Sequence, residues 1–189
     1  RLMFRSVIFI RPPDVFHIRK RITISSMNYK KHNAILLASN LLFAIALWLF
    51  YGLISFAVVG KVMFRVQGAM YLANSFVFTL CALTMAFLIS SIFNNKEAVN
   101  GIVNVVALGS AFLCGAFIPV EWLPDGVLAV GRIFPAYWYI QTNEYLKTLE
   151  TVSVSGLKPV FINMLVMALY GVFYIIVANI VSAKKRVVA

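Results

Sequence analysis

Two histidines, two cysteines and six carboxylates are the groups in this 189-residue chain that could hold a metal or move a proton, and their spacing joins none of them into a centre. His17 and His32 stand in a basic segment without acidic partners, and no H-E-x-x-H occurs. Cys81 and Cys114 lie in separate uncharged runs with no paired spacing and no histidine beside either, so neither a disulfide framework nor a metal site follows. A nucleotide-cradling loop needs G-x-x-x-x-G-K-[ST]; at Gly60-Lys61 the upstream glycine is missing and Val62 replaces the hydroxyl. Ser90, Ser91 and Ser110 have no base near them in sequence and are expected to bond to backbone or to a neighbouring helix. The expectation is a chain without catalytic, cofactor-binding or metal-binding residues, not an enzyme.

What remains are polar side chains with no charge, set in apolar surroundings. Asn100, Asn104, Ala107, Ala111 and Gly115 recur at intervals of three and four, which puts two amides and three small residues on one helical stripe. Such a stripe serves either as a packing seam, where small residues let helices approach and amides bond across, or as a translocation surface. No ionisable residue falls inside the apolar runs around it, whereas carriers driven by protons or sodium commonly keep carboxylates at that depth. Active movement of a solute would have to draw its energy from elsewhere.

The elements that position this stripe follow from composition. The chain is 62% hydrophobic and 12% charged with a mean hydropathy of +0.90, against about 25% charged residues in soluble domains. Four stretches lack charge and histidine altogether: Ala34 to Gly60, Gly68 to Phe93, Ala98 to Val120 and Pro159 to Ala183. Each is long enough for a helix to cross roughly 30 Å of hydrocarbon, so the fold expected is all-α, a single polytopic transmembrane bundle with four full spans. A shorter apolar run, Leu2 to Ile10, carries Arg5, and the chain opens on Arg1; residues 1–10 read as the end of a truncated span.

Twelve of the seventeen Lys and Arg fall at 1–33, 94–97 and 184–189, and the remaining five at 61–67 and 121–158. The positive-inside rule then puts residues 11–33, the 94–97 turn and the C-terminus in the cytoplasm, as in a multi-pass protein of the cell membrane. Basic residues so placed serve topology and contact with the lipid bilayer, and the net charge of +11 is not read as nucleic-acid binding. Within residues 12–28, Val15, Ile18 and Ile22 share one face while Arg19, Lys20 and Arg21 cover much of the rest. This amphipathic cytoplasmic helix either lies on anionic lipid or docks a partner.

Residues 121–150 are too long for a turn. Pro119, Pro124 and Pro135 punctuate them into two interfacial helices of an outer re-entrant hairpin, with Trp122, Tyr137, Trp138 and Tyr139 forming an aromatic belt.

The run Cys114-Gly115-Ala116-Phe117-Ile118-Pro119, then Leu123-Pro124, then Pro135 eleven residues later, together with Arg21-Ile22 and Ser25-Ser26 before the first full span, resembles the membrane subunits of type-2 ATP-binding-cassette transporters. The resemblance covers nearly the whole chain. It implies a permease of six spans, of which this sequence carries the last four and the end of the second, working in an ATP-driven exporter. It also implies a separate ATPase subunit holding ATP and Mg, a second permease copy in a homo- or heterodimer, and a coupling helix carrying Val15, Ile18, Arg19, Arg21 and Ile22. The segment departs from the family pattern in being strongly basic and in reading Ser25-Ser26-Met27 where a proline is common. Two other readings are an ATP-independent channel or carrier lined by Asn74, Thr79, Asn100 and Asn104, and a structural membrane subunit.

Overall fold

Long uncharged stretches rich in Leu, Val, Ile and Phe can satisfy their backbone in hydrocarbon only from within, and the helix is the solution open to a single segment. The computed structural model describes residues 29–93, 95–149 and 156–187. These form six helices: α1 (Tyr29–Val59), α2 (Val66–Ile92), α3 (Lys96–Leu113), α4 (Asp125–Gly131), α5 (Pro135–Thr148) and α6 (Lys158–Val187). Two 3-10 turns, Gly60–Phe64 and Val120–Trp122, connect them, and there is no strand among the described residues. The segments expected as a truncated span (1–10) and a cytoplasmic coupling helix (12–28) lie outside the described residues.

Three stretches are long and apolar enough to cross a membrane: Leu37–Val59 in α1, Val66–Ile92 in α2 and Lys158–Lys184 in α6. Their outward surface agrees with that reading. Leu42, Leu53 and Val58 of α1 and Leu165, Phe173 and Ile180 of α6 are exposed, a surface that suits lipid and not water.

The third uncharged run, Ala98 to Val120, behaves differently from its sequence expectation. Helix α3 is 18 residues, about 27 Å, and stops at Leu113, seven residues short of Val120. Its start is fixed by Asn95, whose side chain accepts a hydrogen bond from the Glu97 N–H at 2.9 Å, with the Glu97 carboxylate favourably placed in the first turn. Its end is set by Gly115. That residue has φ 93°, and the Ala116 N–H reaches back to the Ala111 carbonyl at 2.9 Å, a closure that requires the left-handed region glycine adopts freely.

Helix α2 is the centre of the molecule and packs against α1, α3, α5 and α6. Its most extensive partner is α6, where a Cβ on Gly171 would meet the Thr84 hydroxyl and the Cys81 Cα at ordinary contact distance. Three apolar clusters hold the rest. Leu146, Val160, Met164 and Met167 join α5 and α6, with Tyr71, Val77 and Phe78 of α2 packed against them. Ile89 meets Val99 and Val103 between α2 and α3. Cys114, Ala136, Tyr137 and Ile140 gather the end of α3, α4 and α5, with Leu128 and Phe78 at the margin.

The path of α5 is read from its partners on α2. Tyr139 lies beside Phe78 and Asn74, Asn143 beside Asn74 and Tyr71, and Leu149 beside Gln67. Helix α5 therefore runs antiparallel to the first half of α2, starting near Phe78, about 18 Å along α2 from Val66. Leu113 and Cys114 share that level through the cluster with Tyr137.

Candidate functional site

The groups that fasten α5 are polar and buried. Asn74 is fully buried, and its amide nitrogen donates to the Tyr139 carbonyl at 3.1 Å and to Asn143 Oδ1 at 2.9 Å. The Tyr71 hydroxyl donates to the Asn143 carbonyl at 3.1 Å, and the Gln67 amide nitrogen donates to the Leu149 carbonyl. From the other side, Asn163 of α6 donates to the Thr142 hydroxyl at 3.1 Å, and Thr142 donates to the Trp138 carbonyl at 2.8 Å. Apolar surroundings make such bonds directional fasteners, because each polar group left alone there is costly. Phe78 stacks on Tyr139 with centroids 4.5 Å apart. Helices α2, α5 and α6 thus form one body.

The corner before α5 is made by close approach. A Cβ on Gly131 would meet the Leu113 carbonyl oxygen at 2.7 Å, so only glycine lets the end of α4 lie on the end of α3. Beside it the buried Cys114 thiol points to the Gly131 carbonyl at 3.6 Å, and the Trp138 indole N–H donates to the Arg132 carbonyl at 3.2 Å. Cys81 and Cys114 are free.

Each proline singled out in sequence starts a helical turn. Pro119 precedes the 3-10 turn Val120–Trp122, Pro124 accepts from the Val127 and Leu128 N–H groups at the head of α4, and Pro135 is the first residue of α5. The ring supplies the φ a helix start needs and lacks the N–H that would be left unpaired. One feature of the sequence reading changes. The helices Asp125–Gly131 and Pro135–Thr148 match the two segments expected in 121–150, yet the aromatic belt is largely absorbed. Tyr137 is buried, Tyr139 stacks on Phe78, and of the four aromatics Trp122 is the one left wide open to the surroundings.

Among the described residues, the stripe on α3 is only partly covered by the other helices. The buried residues of α3 are Val99 and Val103, whereas Asn100, Ala107, Ala111 and Gly115 are half-buried and Asn104 is exposed. On the helical wheel the stripe is centred about 100° from the Val99–Val103 seam, on its flank. Asn74 and Thr79 do not join Asn100 and Asn104 on a common surface: Asn74 is bonded to α5, and Thr79 faces a groove toward α1. The residues Val15, Ile18, Arg19, Arg21 and Ile22 lie outside the described residues.

Sequence reasoning overlooked the fastening set. Asn143 and Asn163 carried a signal, since amides beside uncharged runs need partners, but their pairing with Asn74 and Thr142 links residues 69 and 21 positions apart. Charge contributes little to it. Lys147 pairs with Glu144 at 2.6 Å on the open side of α5, and that hydrogen bond raises the Lys147 ammonium above its ordinary range. Among the described residues no three His, Cys, Asp or Glu come together as a metal site would require.

A family model described as ABC-2 type transporter matches residues 13–143, from the basic amphipathic segment through α1, α2, α3 and α4 to the middle of α5. No curated protein and no solved structure matches. The matched stretch covers well over half of the chain and includes the first part of the fastened helix and the turn that ends α3. With three helices long and apolar enough to cross a membrane, this is a membrane protein of the ABC-2 type transporter family.

Proposed function

We propose that this chain is the permease subunit of an ATP-driven exporter of the cell membrane, moving a solute outward when coupled to a separate ATPase subunit that holds ATP and Mg. The observation that carries the reading is the family match over residues 13–143. Two permease copies form the working unit, and the C-terminus is cytoplasmic, on the side carrying most of the basic residues.

The geometry suggests how motion would divide. Helix α3 meets α2 through the short seam of Ile89, Val99 and Val103, whereas α5 is tied to α2 and α6 by buried amides. Closure of the ATPase would push on Val15, Ile18, Arg19, Arg21 and Ile22, and α3 would swing against the α2–α5–α6 body. The turn at Asn95 and the left-handed Gly115 are its two ends. The stripe Asn100, Asn104, Ala107, Ala111 and Gly115, only partly covered by the described helices, would face the second copy and the solute. Pro119, Pro124 and Pro135 set the corners of a re-entrant outer hairpin, and that hairpin serves as the gate.

The test is transport by the complete complex with intracellular ATP depleted. The reading expects solute retention to rise on depletion and paired cysteines at 104 and 111 to cross-link between copies. Solute flux through vesicles holding this polypeptide alone would overturn it.

A further inference from the structure

Helix α1 packs against α2, and beside their contact lies a groove of about 390 Å³, within the size range of small-molecule sites. Trp48, Tyr51 and Gly52 of α1, Ser75 and Thr79 of α2, and Tyr139 of α5 line it. Trp48 and Thr79 are the midpoints of the spans Leu37–Val59 and Val66–Ile92, so the groove reaches the middle of the apolar belt. Its position is held by polar contacts. The Trp48 indole N–H donates to the Ser75 hydroxyl at 2.9 Å, and Trp48 meets Phe76 edge to face at 5.0 Å.

Among the described residues, one aliphatic hydroxyl of the lining has no hydrogen-bond partner. Helix α2 carries five aliphatic hydroxyls, and Ser75, Thr84, Ser90 and Ser91 each donate to a carbonyl three or four residues earlier, the usual resolution in an apolar helix. Thr79 makes no such bond and faces the groove. No charged residue is among the lining, so a phosphate or ammonium head entering would lose its hydration without compensation. Three aromatic side chains offer flat faces, and Gly52 leaves the recess that a larger residue would fill, with Leu72 3.7 Å from where its Cβ would be.

We propose that this groove binds one flat, uncharged, hydroxyl-bearing amphiphile drawn laterally from the bilayer, with its hydroxyl bonded to Thr79 and its ring system against Trp48, Tyr51 and Tyr139. The site is lined by α1, α2 and α5 without a residue of α3 and is separate from the proposed solute path, so its occupancy does not require ATP.

The experiment uses the full chain in phosphatidylcholine vesicles with Trp122→Phe and Trp138→Phe, leaving Trp48 as the sole tryptophan. Energy transfer from Trp48 to dehydroergosterol, a neutral fluorescent sterol, is read against sterol mole fraction. The proposal expects saturable transfer, displaced by cholesterol but not by added phosphatidylcholine. It expects roughly fivefold weaker binding in Thr79→Val, the effect of one lost hydrogen bond, with recovery in Thr79→Ser. Gly52→Leu should abolish saturation. Transfer that rises linearly with sterol, as random collision dictates, overturns the proposal, as does unchanged binding in Thr79→Val. Absence of transfer because a segment of a longer protein or a second copy fills the groove overturns it equally. A failure of ATP coupling leaves all these outcomes unaffected.

Discussion

Replacing Asn74 by alanine tests the fastening of α5 to the spans. The substitution removes two hydrogen bonds, to the Tyr139 carbonyl at 3.1 Å and to Asn143 Oδ1 at 2.9 Å, and strands both acceptors in a site where Asn74 itself is fully buried. Interhelical side-chain bonds in membrane proteins average about 0.6 kcal/mol and reach about 1.7 kcal/mol, so the pair accounts for about 1–2 kcal/mol. The space left by the amide adds about 1 kcal/mol, for a total loss of about 2–3 kcal/mol. Reversible unfolding in mixed micelles titrated with denaturing detergent measures it. A cycle with Asn143→Ala isolates the single bond the two side chains share and should give a coupling of about 0.6–1.7 kcal/mol. Exchange at the amides of α5 should accelerate in the variant while that of α3 stays as before. A loss below about 0.5 kcal/mol, or additivity of the two substitutions, would refute the assignment of α5 to the α2–α6 body.

Gly131→Ala sets a Cβ 2.7 Å from the Leu113 carbonyl and should cost about 1–3 kcal/mol on the same titration, with cysteine labelling at Cys114 increased because the corner opens. Gly171 distinguishes contact from clash: Gly171→Ala fits at 3.5 Å from the Thr84 hydroxyl and should leave stability unchanged or slightly raised, whereas Gly171→Leu should separate α2 from α6 and lower it by about 1–3 kcal/mol. The Lys147–Glu144 pair is exposed, and Glu144→Gln should change stability by less than ~0.5 kcal/mol. Because the folded Lys147 ammonium titrates above its ordinary value, what the pair contributes is fully present below that value and lost as pH rises through the raised one. Unfolding measured between pH 6 and 9 should therefore show no slope from this pair.

Three of the four expected spans were legible because absence of charge over more than twenty residues has one cheap structural answer. Asn95 and Glu97 marked the start of α3 by the same local logic, and the prolines marked the starts of the hairpin's helical turns. The end of α3 was not legible. Nothing polar follows Ser110 until Glu121, so composition carries the helix on to Val120, and only the positive φ of Gly115 stops it. The placing of Tyr137 and Tyr139 failed for a related reason. An aromatic at a lipid interface and one stacked inside a bundle have the same letter, and the difference is made by Phe78 and Cys114, which arrive from distant parts of the chain. Asn74 could be seen to need a partner, but long-range pairing of uncharged amides leaves no period and no spacing to read. The stripe from Asn100 to Gly115 was visible as a pattern, and its place on the flank of the buried face became visible only with Val99 and Val103 fixed as that face.

The proposal on which the account turns is that this membrane chain is driven by a separate ATPase subunit. Affinity purification of the chain from native membranes in mild detergent, with identification and counting of whatever accompanies it, tests that most directly. The account predicts an ATP-binding-cassette ATPase in equal amount with the permease, lost when Ile18 and Ile22 are both replaced by aspartate. A chain that purifies without any ATPase, from cells in which its transport continues after ATP is exhausted, would contradict it.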